Sequence, residues 1–405
     1  MPLSRHSSNV KKCAVFALGN NLNFGDDILG ESSKWIVENV GANFCARRYE
    51  LTPRFGDGNL IDDCLVAASG ILTIILCFII RRRKGRMFDF VQSVKYRIRC
   101  SHYFRNALRD SDAVIIACGM FNYSVQTHMY PEEIIVCQAR KRHIPVLLSA
   151  MSVENVVERN SVYERLVRIC NDPAVTMFTS RDGANGVERI KSQYLKQKNL
   201  CVDFVGDPGL WSPDVYGVNR DAAHQCVGIG LLGARNFATY GDSSSDSKLK
   251  AALIDLMDGL DANGIDWVLF SNGMSGDEEY GRELLRISGR PTSKLLPRTS
   301  SSADFVRMVA GFSCVFGLRL HACIVAHSLG VPLVGVVWDD KLKFFSETMG
   351  LAEMFVGGEN LSGQILLDKL LYALSQKGDK RMDDTKNLYK DKTYQSIKKF
   401  LENVA

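Results

Sequence analysis

Arg319 and His321 stand two residues apart where the short apolar run Val315-Phe316-Gly317 ends, inside the segment VFGLRLHACIVAHSLGVPLVGVVWDDKLKFFSETMG, residues 315–350. Alternate residues of an extended strand end point to one side, so the two side chains are expected to share a face. A guanidinium offers a planar fork to carboxylate or phosphate, and an imidazole gives or takes a proton near neutral pH. Lys341, after the strand-like PLVGVVW and in the cluster Asp339-Asp340-Lys341, adds a second cation. These residue types suit a small anionic substrate and a proton transfer. His327, six residues beyond His321 within an apolar helical run, reads as structural.

A second constellation is GNNLNFGDDILG, residues 19–30, directly after the first strand-like run. Its glycines and asparagines permit a tight strand-to-helix turn, and free N–H groups at a helix N-terminus suit an anion or a hydroxyl-rich ligand. It is not the dinucleotide fingerprint, because Gly19 and Gly25 are six apart with Asn20, Asn21 and Asn23 between. Asp26 and Asp27 can equally serve as helix caps.

Both constellations need strand ends to carry them, and the chain supplies strands in alternation with helices. Apolar β-rich runs of four to eight residues recur at Cys13–Leu18, Phe44–Arg48, Ala113–Ala117, Pro145–Ser149, Val175–Thr179 and Val202–Val205. Between 206 and 225, GDPGLWSPDVYGVNRDAAHQ concentrates turn formers and marks a junction. The alternation restarts with strands at Val227–Leu232, Trp267–Phe270, Val315–Gly317 and Leu333–Val337. Helical patterns follow at Lys248–Asn263, Glu278–Ile287, Ser302–Val309, Ala322–Leu329 and Leu361–Ser375. The expected fold is α/β, with two Rossmann-like domains over 1–215 and 216–380 facing a central cleft. A C-terminal helix, 381–405, is positioned to cross back to the first domain. In open parallel sheets ligands bind beyond the carboxyl ends of the strands.

With 405 residues, 46% hydrophobic and 23% charged, the chain has apolar surface for two cores and is not a disordered tail. Its twelve cysteines are scattered, many within apolar runs, and no CxxC occurs. That pattern fits reduced core thiols of a cytoplasmic protein better than a disulfide scaffold or a zinc site. The N-terminus MPLSRHSSNVKK has no apolar stretch of signal-peptide length.

The net charge of +5 is unevenly spread. Residues 81–109 hold ten Lys or Arg against Asp89, a local +9. Immediately before them, CLVAASGILTIILCFII at 64–80 is uncharged. Three readings are open: a spanning helix, for which the run sits at the lower limit of length; a buried helix of the first domain; or an element over 64–109 that dips into one leaflet with its basic collar on anionic headgroups. No recognised motif for nucleic acid accompanies the charge, so nucleic acid is not an expected partner.

Taken in order, Asn23, Gly25 and Asp26, the strand end in SDAVIIACGMFNY, TSRDG at 179–183, DPGLW at 207–211 and the long GLRLHA…LGVPLVGVVWDDKLKFF block make the chain resemble the polysaccharide pyruvyl transferase family. The resemblance runs from residue 13 to about 350. Two departures are Cys118-Gly119, where a glycine pair is expected, and the apolar-basic insert at 64–109.

The resemblance implies a GT-B-like fold and transfer of a pyruvyl group from phosphoenolpyruvate to two hydroxyls of a sugar, giving a cyclic ketal with loss of phosphate. It points to Arg181, Arg319, Leu320 and Lys341 as donor-binding positions and to His321 and Arg319 as catalytic ones. Asn23, Asp26, Tyr123 and His128 are the candidate acceptor contacts. Phosphoenolpyruvate is the donor substrate, and the scheme needs neither a cofactor nor a metal. The resemblance also implies cell-surface or exopolysaccharide biosynthesis and a lipid-linked glycan acceptor, which would suit a cytoplasmic protein peripheral to the inner face of the membrane. The alternatives are a GT-B glycosyltransferase using a nucleotide sugar and a non-catalytic membrane-associated glycan-binding protein. Acceptor sugar, ketal linkage and oligomeric state have no signature in the sequence.

Overall fold

The structure, a computed structural model, describes residues 10–19, 23–41, 43–79, 86–121, 128–156, 159–196, 200–221, 226–233, 244–376 and 380–404. The chain divides into two compact units. The first comprises Met1–Asn20, Leu29–Gly206 and Lys392–Ala405, and the second Asn21–Ile28 and Asp207–Asp391.

In the first unit, β1 (Lys11–Ala17) pairs in parallel with β2 (Phe44–Glu50) and β3 (Ala113–Ile116). β5 (Val146–Val153), β6 (Val175–Ser180) and β7 (Cys201–Phe204) complete the order β2-β1-β3-β5-β6-β7. A two-residue β4 (Met120–Phe121) lies beside the end of β5. Helices cover a parallel sheet on both faces, so its inner strands are apolar throughout rather than alternating. Every residue of β3 and β5 is buried accordingly.

The second sheet has the order β12-β11-β10-β8-β9, all parallel. It is made of β8 (Val227–Gly230), β9 (Trp267–Phe270), β10 (Cys314–Gly317), β11 (Leu333–Val337) and β12 (Phe355–Gly357). In each sheet the strand order reverses beside the first strand of the unit, between β1 and β3 and between β8 and β10. Such reversal points open a crevice at the carboxyl edge. All ten expected strands are present. The additional β4 and β12 are two and three residues long, too short for period or composition to mark.

Two features depart from the sequence expectation, and a third, the C-terminal helix, follows it by crossing back to the first unit. The division between units falls at Gly206/Asp207, not after residue 215. Helix α1 (Phe24–Asn39) begins in the second unit, where Phe24 and Ile28 are buried in the core and Phe24 stacks on Phe305 with ring centroids 5.6 Å apart. The C-terminal helix (Lys380–Glu402) contributes to both units. Lys390 pairs with Asp214 in the second unit, while the Thr393 hydroxyl donates to the Gly206 carbonyl in the first at 2.9 Å.

The apolar run forms α2 (Leu60–Ile79), which packs on α3 (Arg86–Ala107). It is not a buried helix in its described part: Leu60, Ile61 and Ile71 are 79%, 56% and 60% exposed. Among the described residues, no helix is long and apolar enough to cross a membrane.

Candidate active site

The crevice between β8 and β10 is organised by one carboxylate. Asp277 lies in the first turn of α9 (Ser275–Ile287, numbering the described helices consecutively), where the helix dipole favours negative charge. It is fully buried, and its Oδ1 accepts from the Gly233 backbone N–H at 2.8 Å, beyond the end of β8. From beyond the end of β10, Arg319 donates to the same carboxylate twice, Nε to Oδ2 at 2.6 Å and Nη2 to Oδ1 at 2.5 Å. The Arg319 side chain keeps 16% exposure. Asp277 thus fixes both lips of the crevice and aims a cation that still reaches solvent. Gly233 suits this place, because a Cβ there would lie 2.9 Å from the Gly276 carbonyl oxygen.

Arg319 precedes α11 (Leu320–Ser328), which starts without a side-chain cap. The turn into it is braced from the neighbouring strand, where Trp338 Nε1 donates to the Leu318 carbonyl at 2.6 Å. Leu320 is half-buried and packs on the core of the unit, so its side chain anchors the turn. His321 is buried, with Nε2 3.9 Å from Asp207 Oδ2. The other oxygen of Asp207 accepts from the Gly209 N–H at 2.7 Å, which holds the carboxylate in place as the cap of the DPGLW turn. The opposite side of the imidazole packs on the backbone of α1. A Cβ on Gly25 would overlap the His321 ring.

The α1 turn is in turn locked to the end of β9. Asn23 Oδ1 accepts from the Gly25 N–H at 3.2 Å and from Asn272 Nδ2 at 2.9 Å. Asn23 Nδ2 donates to Asp26 Oδ2 at 3.0 Å, and the Phe24 N–H donates to the Asn272 carbonyl at 3.1 Å. Asn23 and Asp26 therefore belong, with Arg319 and His321, to the second unit, not to the first as their position in the sequence suggests.

Lys341 lies in the first turn of α12 (Asp340–Thr348), beyond β11, the strand next to β10. Asp339 caps this helix by accepting from the Leu342 N–H at 3.0 Å, and burial raises its carboxyl above the usual range despite the Lys341 charge nearby. His327 is buried within α11, edge-on to Phe345, and burial holds it down at about 4. It stays neutral at physiological pH, as a structural residue would.

Of the remaining expected residues, Arg181 and His128 lie in the first unit. Arg181 follows β6 and donates through Nη2 to the Gly119 carbonyl at 3.0 Å, where Gly119 takes a φ of +68° that favours glycine. Asp182 does not share this contact. It is buried and accepts from Ser152 Oγ at 3.0 Å and the Val153 N–H at 2.6 Å. His128 occupies the N-cap position of α4 (Met129–Lys141) without a side-chain cap bond. Tyr123 lies outside the described residues. Beneath Gly119, the Cys118 thiol donates to the buried Glu132 carboxyl at 2.9 Å, and burial pushes Glu132 up to about 8.

Sequence reasoning missed Asp277, Asp207 and Asn272. Asp207 stood in a quoted motif, and its role needed only the fold to bring DPGLW beside α11. Asp277, within the acidic SGDEE start of a helix, and Asn272 carried no signal beyond helix-start and turn composition. Among the described residues, no group of three or more His, Cys, Asp or Glu is placed to hold a metal ion.

Solved structures of low identity share the fold. The UDP-GlcNAc 2-epimerase of Methanocaldococcus jannaschii is 12% identical with a TM-score of 0.57, covering 96% of this chain and 99% of its own. The enzyme of the same name from Neisseria meningitidis is 10% identical with a TM-score of 0.54, covering 95% and 98%. Spinosyn rhamnosyltransferase is 11% identical with a TM-score of 0.51, covering 97% and 100%. These likenesses establish a GT-B-like architecture of two Rossmann-like units. No curated protein matches the chain. The profile described as Polysaccharide pyruvyl transferase matches residues 23–340, from the Asn23 turn through Arg319, His321 and Asp340, and on that match the chain belongs to the polysaccharide pyruvyl transferase family.

Proposed function

We propose that the protein transfers the pyruvyl group of phosphoenolpyruvate to two hydroxyls of a sugar, forming a pyruvate ketal and releasing inorganic phosphate. The observation that carries this reading is the Arg319-x-His321 pair at the β8/β10 crevice, one side chain held by Asp277 and the other facing Asp207. Phosphoenolpyruvate carries two acidic groups on one three-carbon unit. Arg319 and Lys341 are the cations this unit offers them, and the N-terminus of α11 adds partial positive charge. Arg181, in the first unit, is a further candidate for the donor.

His321 is the proposed acid. It protonates the methylene carbon, the adjacent carbon becomes electrophilic, and a sugar hydroxyl adds there. Phosphate then leaves with the C–O bonding pair, the second hydroxyl closes the ring, and the hydroxyl protons pass to His321 and to phosphate. Asp207 would stabilise the imidazolium before it gives up its proton and again once a hydroxyl proton restores it. Asp26 and Asn23, on the α1 turn against His321, are the proposed acceptor contacts in this unit, with His128 and Tyr123 the candidates in the other. The acceptor is proposed to be a sugar of a lipid-linked glycan destined for the cell surface.

Purified protein incubated with phosphoenolpyruvate and a panel of sugar acceptors should release phosphate and add one pyruvate ketal to the acceptor mass. His321→Ala should abolish this while phosphoenolpyruvate still binds; Arg319→Ala should weaken donor binding itself. Failure of the wild-type protein to bind phosphoenolpyruvate would overturn the assignment and favour a nucleotide-sugar donor.

A further inference from the structure

We propose that the first unit docks on an anionic lipid bilayer through the outer face of α2 together with a basic groove built by α3, α4 and α5 (Ser161–Cys170). This goes beyond the reaction proposed above and stands without it.

Helix α3 presents three faces. Tyr96, Cys100 and Phe104 are buried in the core of the unit. His102, whose Nδ1 lies 2.9 Å from Asp62 Oδ1, faces α2. Arg97, Ser101 and Arg105, spaced by four, line a cavity of about 740 Å³ with residues of α4 and α5. Seven Lys or Arg side chains line that groove against Glu133 and Asp172 alone, a net charge of +5. Arg140 pairs with Asp172 and Arg168 with Glu133, so both acids are already engaged and the excess is cationic.

The outer face of α2 has the complementary chemistry. Leu60, Cys64, Ala68 and Ile71 recur at helical spacing, all exposed, while Asp62 and Ser69 on the inner side are buried. Beyond Ile71 the sequence continues LTIILCFII and then RRRKGR. An apolar helical stripe followed in the sequence by a run of cations fits the boundary between acyl chains and phosphate headgroups. A second copy of the chain fits less well. A two-fold interface would set the same basic residues against themselves.

The test is flotation of the full-length protein, without substrates, on phosphatidylcholine vesicles with and without phosphatidylserine. The expected result is binding to the anionic vesicles that weakens as salt is raised. Ile71→Asp should abolish it, and Arg97→Ala and Arg105→Ala should each weaken it about five-fold. Circular dichroism checks that each variant is folded; if Ile71→Asp is not, Leu60→Ser with Ile61→Ser replaces it. Failure of wild-type protein to float with anionic vesicles overturns the proposal. So does binding of inorganic diphosphate in the groove without vesicle binding, which would make it a site for soluble anions. A dimer dispersed by Ile71→Asp, with no vesicle binding, would assign the α2 face to self-association. Phosphate release with a soluble acceptor, measured separately, reports on the chemistry alone.

Discussion

Asp277 grips Arg319 along one edge of the guanidinium, both carboxylate oxygens engaged at 2.6 and 2.5 Å, and leaves Nη1 as the nitrogen it does not touch. The buried acid sets the orientation of the partly exposed base. An arginine held this way reaches an anionic ligand without first giving up rotamer freedom.

Removing the charge from this grip should therefore cost donor affinity more than turnover. Asp277→Asn keeps the size and one acceptor oxygen but leaves Arg319 without its buried counter-charge. Loss of one partner of a buried pair costs about 3–5 kcal/mol. We expect a lowered Tm by thermal denaturation and a raised KM for phosphoenolpyruvate, the fold-rise in KM exceeding the fold-fall in kcat. An unchanged KM would show that Asp277 serves stability alone.

Gly25 leaves room for the catalytic imidazole, and the smallest side chain should displace it. A Cβ at this position overlaps the His321 ring, while the residue lies in the first turn of α1 where alanine is a good helix former. Gly25→Ala should fold, by circular dichroism, yet lose about 100-fold in kcat, the scale of a misplaced reacting group. Near-wild-type kcat would mean that the imidazole relocates freely and that its present position is not the working one.

Asp207 bears on the same imidazole from the other side. Asp207→Asn retains an acceptor for the Gly209 N–H but removes the charge 3.9 Å from His321 Nε2. If His321 passes through a charged state, kcat should fall about ten-fold or more, while phosphoenolpyruvate binding, followed by calorimetry, holds. Equal losses in binding and turnover would assign Asp207 to the fold of the DPGLW turn only.

Glu132 makes the stability of the protein depend on pH in the neutral range. Burial raises it from an ordinary 4.5 to about 8, so the folded chain holds a proton there that the unfolded chain has released. Its contribution is full below about pH 4.5 and is lost as the pH rises toward 8, at roughly 1.4 kcal/mol per pH unit. Glu132→Gln keeps an acceptor for the Cys118 thiol and cannot ionise. Denaturant unfolding between pH 5 and about 8 should show a flatter profile in the variant than in the wild type; parallel profiles would refute the assignment.

The strands, the two-unit plan and the Arg319-x-His321 constellation were legible in the sequence because they rest on local regularities. Apolar runs mark buried parallel strands and turn residues mark their ends; the alternation expected of an extended strand end does not apply to Arg319 and His321, because the strand stops at Gly317 and His321 already lies in the first turn of α11 behind Arg319. Asp277, Asp207 and Asn272 were not legible, since each acts on a residue far away in the chain: Asp277 on Arg319, Asp207 on His321, Asn272 on Asn23. Which carboxylate meets which cation depends on strand order, and the placement of β8 between β9 and β10 is a property of the folded sheet. The same holds for the start of α1. Its sequence follows a strand of the first unit, yet Phe24 and Ile28 are buried in the core of the second, because burial there removes two large apolar side chains from water. Local composition determined the elements and the reactive side chains; the long-range packing of those elements decided which partners aim them.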